Sequence, residues 1–333
     1  MPARARPLHI HIENISTQAP VFQIRPEQYE AAAARHRKLA ARLRTTIGWD
    51  LEMFDAAMQT AEVLIGWRFP REDLARRAPR LRWIHMTGAG IEHIMPLDWL
   101  PPGAVVTTNS GVHAQKAGEF ATMALLMISN RIPAMFTAQR EGRWHRIFST
   151  PIRGKTLVIV GVGAMGGAAA ERAQQLGMRV LGVRRSGRGH QHVDEMFRPR
   201  DLDQVLPRAD IVLVTAPLTR ETRHLIGKRE LDLMKPEAGL INMGRARVVD
   251  YEALGAKLTR GELSGAILDV FDPEPLPADS PLWTTPNVLL SPHVSSDDLL
   301  GYVPGTLDLV FGNARRYLAG QPLKNRVEPE REY

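Results

Sequence analysis

The stretch VIVGVGAMGG, residues 158–167, limits the folds open to this chain more than any other segment. An apolar run, TLVIV (156–160), leads into it, and a helix-compatible run from Ala164 to Leu176 follows. Between them Gly161, Gly163 and Gly166 stand at GxGxxG spacing. In such a turn the first glycine permits the tight bend, the second lets backbone N–H groups approach a pyrophosphate, and the third lets helix and strand pack closely. The partial positive charge of the helix N-terminus, at Ala164 and Met165, adds attraction for an anion. A ligand-free glycine turn is the bland alternative, but strand, spacing and helix all agree. The segment is therefore expected to open a Rossmann unit that binds a dinucleotide.

The rest of the chain alternates strand and helix, which predicts parallel α/β sheets. LHIHI (8–12), AEVLIGW (61–67) and LRWIHM (81–86) read as strands. A helix is expected over 26–44, starting at a proline and rich in helix formers, and another from Pro70. From VVTTN (105–109) a second unit is expected to begin. It would hold the apolar helix 118–131 and strands at 156–160, 179–183, 210–214, 239–243, 265–270 and 287–291. These strands are apolar on both faces, as sheets covered by helices on both sides require. A last helix over about 299–319 is expected to return to the first unit. The expected fold is α/β with two doubly wound parallel-sheet domains: a Rossmann cofactor domain (104–297) inserted in a flavodoxin-like substrate domain (1–103 with 298–333). A cleft between the two would hold the ligand.

Such folds usually carry an acidic residue about 20 positions past the glycine turn, where it accepts from a ribose 2′-OH. Here VLGVRRSGR (180–188) places Arg184, Arg185 and Ser186 at that strand end. A carboxylate would repel a 2′-phosphate, whereas arginines bind it through paired hydrogen bonds. NADP(H) is therefore the expected cofactor, with NAD(H) possible. Arg188, in a glycine-flanked loop, is a weaker candidate. The alternative is a solvated basic turn in a basic protein.

Ligands of open α/β sheets meet the carboxyl ends of the strands. That rule selects Ala216 and Pro217, Met243 with Arg245, Asp269 with Glu274, and His293. An arginine, two carboxylates and a histidine on one sheet edge suit hydride transfer to a 2-keto acid. The arginine binds or polarises the substrate, and the histidine passes a proton to the carbonyl oxygen. A carboxylate beside the histidine orients the ring and favours imidazolium. Each residue has an ordinary alternative: Arg245 paired with Asp250, Glu274 in a solvated loop, His293 as one of 11 histidines. Asp269 ends a buried strand and needs a hydrogen-bonding partner; a nicotinamide carboxamide would serve.

Four motifs, GVGAMG, LINMGRARVVD (240–250), AILDVFDPEPLP (266–277) and LLSPHVSS (289–296), together resemble the D-2-hydroxyacid dehydrogenase family over nearly the whole chain. The resemblance implies Arg245, Glu274 and His293 as catalytic residues and Asp269 at the nicotinamide. It implies that amides of MTGAGIEHI (86–94), at Ala89 and Gly90, hold the substrate carboxylate. It also implies a homodimer formed through the cofactor domain, with helix 118–131 and the arm to Trp144 taking part. The chain departs from the family pattern at Ala246, where a glycine is usual, and at Arg184. The substrate is left open among glyoxylate, hydroxypyruvate and larger 2-keto acids, with Met86, Trp49, Trp67, Trp144 and Trp283 as candidate pocket residues.

Composition narrows the rivals. The absence of cysteine excludes disulfide frameworks and thiolate sites, and with no apolar leader the chain is read as cytoplasmic. The net charge of +7 is spread along the sequence, so an anionic small ligand is expected rather than nucleic acid, and no membrane partner is expected. A nucleotide-sensing binding protein of the same fold is the main alternative to an enzyme. A formate-type dehydrogenase ranks lower, having glutamine where Glu274 stands. A metal site at His9/His11 or His190/His192 ranks lowest, since nothing completes it at a recognisable spacing.

Overall fold

The computed structural model describes residues 6–332. The chain forms two compact units, one up to His113 and again from Asp298, the other Ala114–Asp297. The first unit opens with β1 (Leu8–Asn14), α1 (Pro26–Arg35), α2 (Arg37–Ala40), β2 (Leu43–Trp49), α3 (Phe54–Met58), β3 (Val63–Gly66), α4 (Leu74–Arg77), β4 (Trp83–Met86) and β5 (Val105–Thr107). Its five strands lie in the order β2-β1-β3-β4-β5, all parallel. That is the flavodoxin-like order.

The second unit holds α5 (Ala114–Ser129), α6 (Ile132–Arg140), β6 (Thr156–Val160), α7 (Ala164–Gln175), β7 (Arg179–Val183), β8 (Glu195–Phe197), α8 (Leu202–Val205), β9 (Ile211–Val214), α9 (Lys228–Leu233), β10 (Gly239–Asn242), α10 (Tyr251–Thr259), β11 (Gly265–Leu268) and β12 (Val288–Leu290). Its parallel sheet runs β12-β11-β10-β9-β6-β7-β8, the Rossmann order with one strand added. Alternation along β6 explains its two cores. Val158 and Val160 pack on one face, Leu157 and Ile159 on the other, and β9 divides in the same way.

The chain then returns to the first unit as α11 (Tyr302–Leu318). Val303, Leu307, Val310, Phe311 and Ala314 recur at helical spacing and pack with Ile10, Ile12 and Trp83. Truncating Phe311, buried there, to alanine is expected to cost about 3–5 kcal/mol. No helix among the described residues is long and apolar enough to cross a membrane.

The structure corrects several expectations. The helix expected over 26–44 breaks at His36, whose φ is −118°. Its ring stacks on Phe311 with centroids 4.8 Å apart and its Nε2 meets Asp308, so packing outweighs the local helix preference. Leu43–Trp49 then forms a full strand, paired with β1 from Leu8↔Leu43 onward. Its Thr45, Thr46 and Ile47 were the signal, since β-branched residues favour strands. The helix near Pro70 is only the short α4. Strand β5 belongs to the first sheet, because Val105 pairs with Trp83 of β4, so the units divide at 113/114 rather than 103/104. The edge strand β8 was not expected; it is three half-buried residues with no apolar run.

Candidate active site

The parallel register of β11 and β12 pairs Leu268 with Leu290, which sets Asp269 beside Ser291 just past the carboxyl ends. Asp269 is buried, and its partners come from the β12 loop. Oδ1 accepts from Ser291 Oγ at 2.6 Å and Val294 N at 3.0 Å, and Oδ2 accepts from Ser295 N at 3.1 Å. These bonds bracket His293 on both sides. They hold it in a left-handed conformation, φ +55°, which histidine tolerates better than most side chains. The burial of Asp269 is thus satisfied by the protein, and a carboxamide is not required to explain it.

His293 Nδ1 lies 2.8 Å from Glu274 Oε2, while Glu274 Oε1 accepts from Phe271 N at 2.8 Å. One carboxylate therefore joins the β11 loop to the histidine. Both side chains stay open to solvent, 44% exposed for His293 and 37% for Glu274. The bond from Glu274 raises the His293 pKa above its ordinary value, against burial and the charge of Arg245. For Glu274, burial pulls upward. The bonds from His293 and Phe271 N, with the charges of His293 and Arg245, outweigh it and leave the carboxyl below its usual range. The two shifts agree: the pair favours imidazolium beside carboxylate. Nδ1–H donates to the carboxylate, and among the described residues His293 Nε2 has no protein partner, which leaves Nε2 available to exchange a proton with a ligand.

Arg245 follows β10, and its Nη1 donates to Gly244 O at 2.8 Å. Its charge acts on both members of the pair, so the three residues expected to be catalytic do form one electrostatic group. Asp250 instead caps α10, accepting from Ala253 N. Ala246 is not among the residues with positive φ, so the loop does not need the glycine usual there. Asp297, which sequence reading passed over, lies close enough that the charge of His293 counters the burial that raises its pKa.

The glycine turn is built as its spacing predicts. Gly161 has φ +105°, and a Cβ there would come within 2.4 Å of Ala216 N. A Cβ on Gly166 would lie 2.3 Å from Gly161 O, whereas one on Gly163 would meet nothing within 4 Å. Two glycines thus allow close packing, and the middle one leaves open space at the α7 N-terminus, a cradle that fits a pyrophosphate. Met243 and Ala216 are buried beside it, and Pro217 is exposed.

The arginine turn divides its labour. Arg184 is half-buried; it donates to Val162 O at 3.3 Å and Gly189 O at 3.0 Å, tying its own turn to the glycine turn. Its Nε is buried without a partner. Arg185, Ser186 and Arg188 are exposed, with Arg185 3.4 Å from Glu221 and Ser186 Oγ accepting from Arg188 N.

In the first unit, the loop after β4 carries Ala89 and Gly90. Their amides have no protein acceptor among the described residues. Behind them Gly88 packs so tightly on Trp67 that a Cβ would lie 2.4 Å from the ring. Met86 is wholly buried in the core, whereas Trp144 is 91% exposed. The histidines of the two rival metal readings are engaged: His9 with Thr60 and Thr46, His11 with Thr46 and Glu13, His190 with the His192 amide and His192 with Gln174.

Ser291, whose hydroxyl helps hold the histidine loop, was missed, although a buried Asp269 needs donors and this hydroxyl residue stands at the next strand end. Ser295 donates only through its backbone amide, which residue identity does not signal. Asn242 and Tyr251, described below, left no comparable signal.

Fold and site together define a dinucleotide-binding α/β protein with a histidine–carboxylate pair at the carboxyl edge of its Rossmann sheet. Residues 122–295 match the NAD binding domain of the D-isomer specific 2-hydroxyacid dehydrogenases, and the chain belongs to that family. It is 35% identical over 264 residues to the glyoxylate reductase of Thermococcus gammatolerans, covering 76% of this chain and 78% of the relative. It is 36% identical over 248 residues to glyoxylate/hydroxypyruvate reductase B of Pectobacterium carotovorum, covering 72% and 77%. Its fold is similar to that of a D-isomer specific 2-hydroxyacid dehydrogenase from Xanthobacter autotrophicus solved with NADPH and MES. That likeness has a TM-score of 0.83 at 30% identity and covers 99% of this chain and 100% of the other.

Proposed function

We propose that the protein reduces a 2-keto acid, glyoxylate, hydroxypyruvate or a close relative, to the D-2-hydroxy acid with NADPH. The observation that carries this reading is the 2.8 Å His293–Glu274 contact, which raises the pKa of a ring whose other nitrogen has no protein partner among the described residues. NADPH, when bound, supplies the hydride. His293 gives its Nε2 proton to the carbonyl oxygen, and Glu274 stabilises the imidazolium before that transfer. Arg245 polarises the same carbonyl, and the amides of Ala89 and Gly90 take the carboxylate. The reductase names of its relatives support this direction.

Preference for NADPH over NADH is assigned to the arginine turn. Arg184 sets the turn, and Arg185 with Ser186 presents charge and hydroxyl at its tip. The NADPH-bound relative supports the choice. The exposed Met123, Leu126, Phe136, Trp144 and Phe148 on α5, α6 and the following arm support a homodimer through this unit. A cysteine-free chain suits work in a reducing cytoplasm.

The test is consumption of NADPH and NADH, in parallel, by purified protein given a panel of 2-keto acids. Turnover with NADPH preferred is expected. Tight nucleotide binding without turnover would favour the sensing protein instead. Arg185→Asp is expected to weaken NADPH far more than NADH; an equal loss would remove the phosphate role of the turn. Light scattering checks the dimer.

A further inference from the structure

The residues of the catalytic pair sit on the β11 and β12 loops, and Arg245 sits on the β10 loop. Something must hold these loops in register, because a displacement of about 1 Å in a reacting group costs on the order of 100-fold in rate. Two side chains outside the reacting set make that connection. Asn242, wholly buried at the end of β10, accepts from Gly244 N at 3.0 Å through Oδ1. Its Nδ2 donates to Arg245 O at 3.1 Å and to the Tyr251 hydroxyl at 2.9 Å. The Tyr251 hydroxyl in turn donates to Val270 O at 2.9 Å. Val270 lies between Asp269, which brackets His293, and Phe271, whose amide holds Glu274. The path from the Arg245 backbone to the Glu274 loop is therefore three hydrogen bonds long. Arg247 and Asp272 add an ion pair between the same two loops, but at a solvated surface where such pairs contribute little.

Every polar atom of this path has its partner, which is what makes a buried network rigid. Tyr251 is its centre, since its hydroxyl bonds both Asn242 at the end of β10 and Val270 past the end of β11. Burial pushes its pKa up, so it stays a neutral donor to Val270 across the working pH range.

We propose that Tyr251 is a positioning residue that, through Asn242 and Val270, sets Arg245 against the Glu274–His293 pair. This rests on the reading of that pair as the proton donor. Tyr251→Phe keeps the ring and deletes only the hydroxyl.

The variant is expected to fold with nearly wild-type melting temperature and NADPH affinity. Its kcat for glyoxylate should fall about 10-fold, a fraction of the loss assigned to a full misplacement. The His293 pKa, followed by NMR titration and identified by its loss in His293→Ala, should move down as Glu274 drifts from the ring. Asn242→Ala should cause a loss of the same kind, and the two changes combined should cost less than their product, as members of one network do. Unchanged kcat and unchanged His293 titration in Tyr251→Phe would overturn the proposal while leaving the activity reading in place. No turnover by the wild type, with the His293 titration still displaced in Tyr251→Phe, would overturn the activity reading and leave the positioning role standing.

Discussion

Among the described residues, two histidine–glutamate pairs have nearly the same length and different surroundings. His11 Nε2 and Glu13 Oε2 are 2.9 Å apart in the first unit, with both side chains 0% exposed. His293 Nδ1 and Glu274 Oε2 are 2.8 Å apart in the second, with both partly open. In the first pair every ring nitrogen is engaged, since Nδ1 meets Thr46 Oγ1 at 2.9 Å, and Glu13 Oε1 is bound by Leu51 N at 2.8 Å. That chain of bonds runs along one face of β1, because residues 9, 11 and 13 share a face. It has no outlet for a proton, and it fastens β1 to β2 and to the loop after it. In the second pair the carboxylate fixes one nitrogen and the other has no protein partner among the described residues, as the proposed proton donor requires. Contact distance alone does not distinguish the two pairs; the state of the second nitrogen does.

The comparison is most easily broken at the open pair. His293→Ala is expected to lower kcat for 2-keto acid reduction on the order of 1000-fold while NADPH titrates as in the wild type. Retained turnover would show that the open pair does no proton transfer. The opposite result is expected for the buried pair. His11→Ala leaves Glu13 Oε2 buried without its partner and a cavity in place of the ring, so stability should fall by about 3–5 kcal/mol in chemical denaturation. Turnover per folded molecule should be unaffected. A kcat loss in fully folded His11→Ala would mean that the two pairs communicate.

A finer distinction comes from pH. The proposed reduction needs protonated His293, so activity should be present below its pKa and lost as pH rises through it. Glu274 raises that pKa, so Glu274→Gln should move the alkaline limb of the kcat profile to lower pH. A fall of about 10- to 100-fold in kcat near neutrality should accompany it. A limb that stays in place would assign the titration to another group. The smallest effect is expected at Gly48, where an added Cβ would lie 2.9 Å from both Glu13 Oε2 and His11 Cε1. Gly48→Ala should cost about 1–3 kcal/mol by crowding the buried pair, with kcat unchanged. An unchanged melting curve would show that the network has slack.

Much of the second unit was legible in the sequence because its signals are local. A glycine turn between strand and helix, and strands apolar on both faces, announce a Rossmann sheet without any long-range information. The placement of the candidate residues was legible for a related reason: parallel topology delivers whatever follows each strand to one edge. The first unit was read less well. Its β2 was not read as a strand, and its first two residues fell inside the expected helix, since Arg37–Arg44 is rich in helix formers and the break at His36 depends on Phe311, some 275 positions away. The boundary at β5 depended on pairing with β4, which composition does not encode.

By itself the sequence determined the chemistry available at the sheet edge: an arginine, two carboxylates and a histidine, with a cradle for a pyrophosphate beside them. Tertiary structure decided their roles. It turned Asp269 into the anchor of the histidine loop, Arg184 into a brace between two turns, and Asn242 and Tyr251 into the link between Arg245 and Glu274. The reason is that residue identity fixes what a side chain can donate or accept, while only the folded register of neighbouring strands fixes which partner it meets.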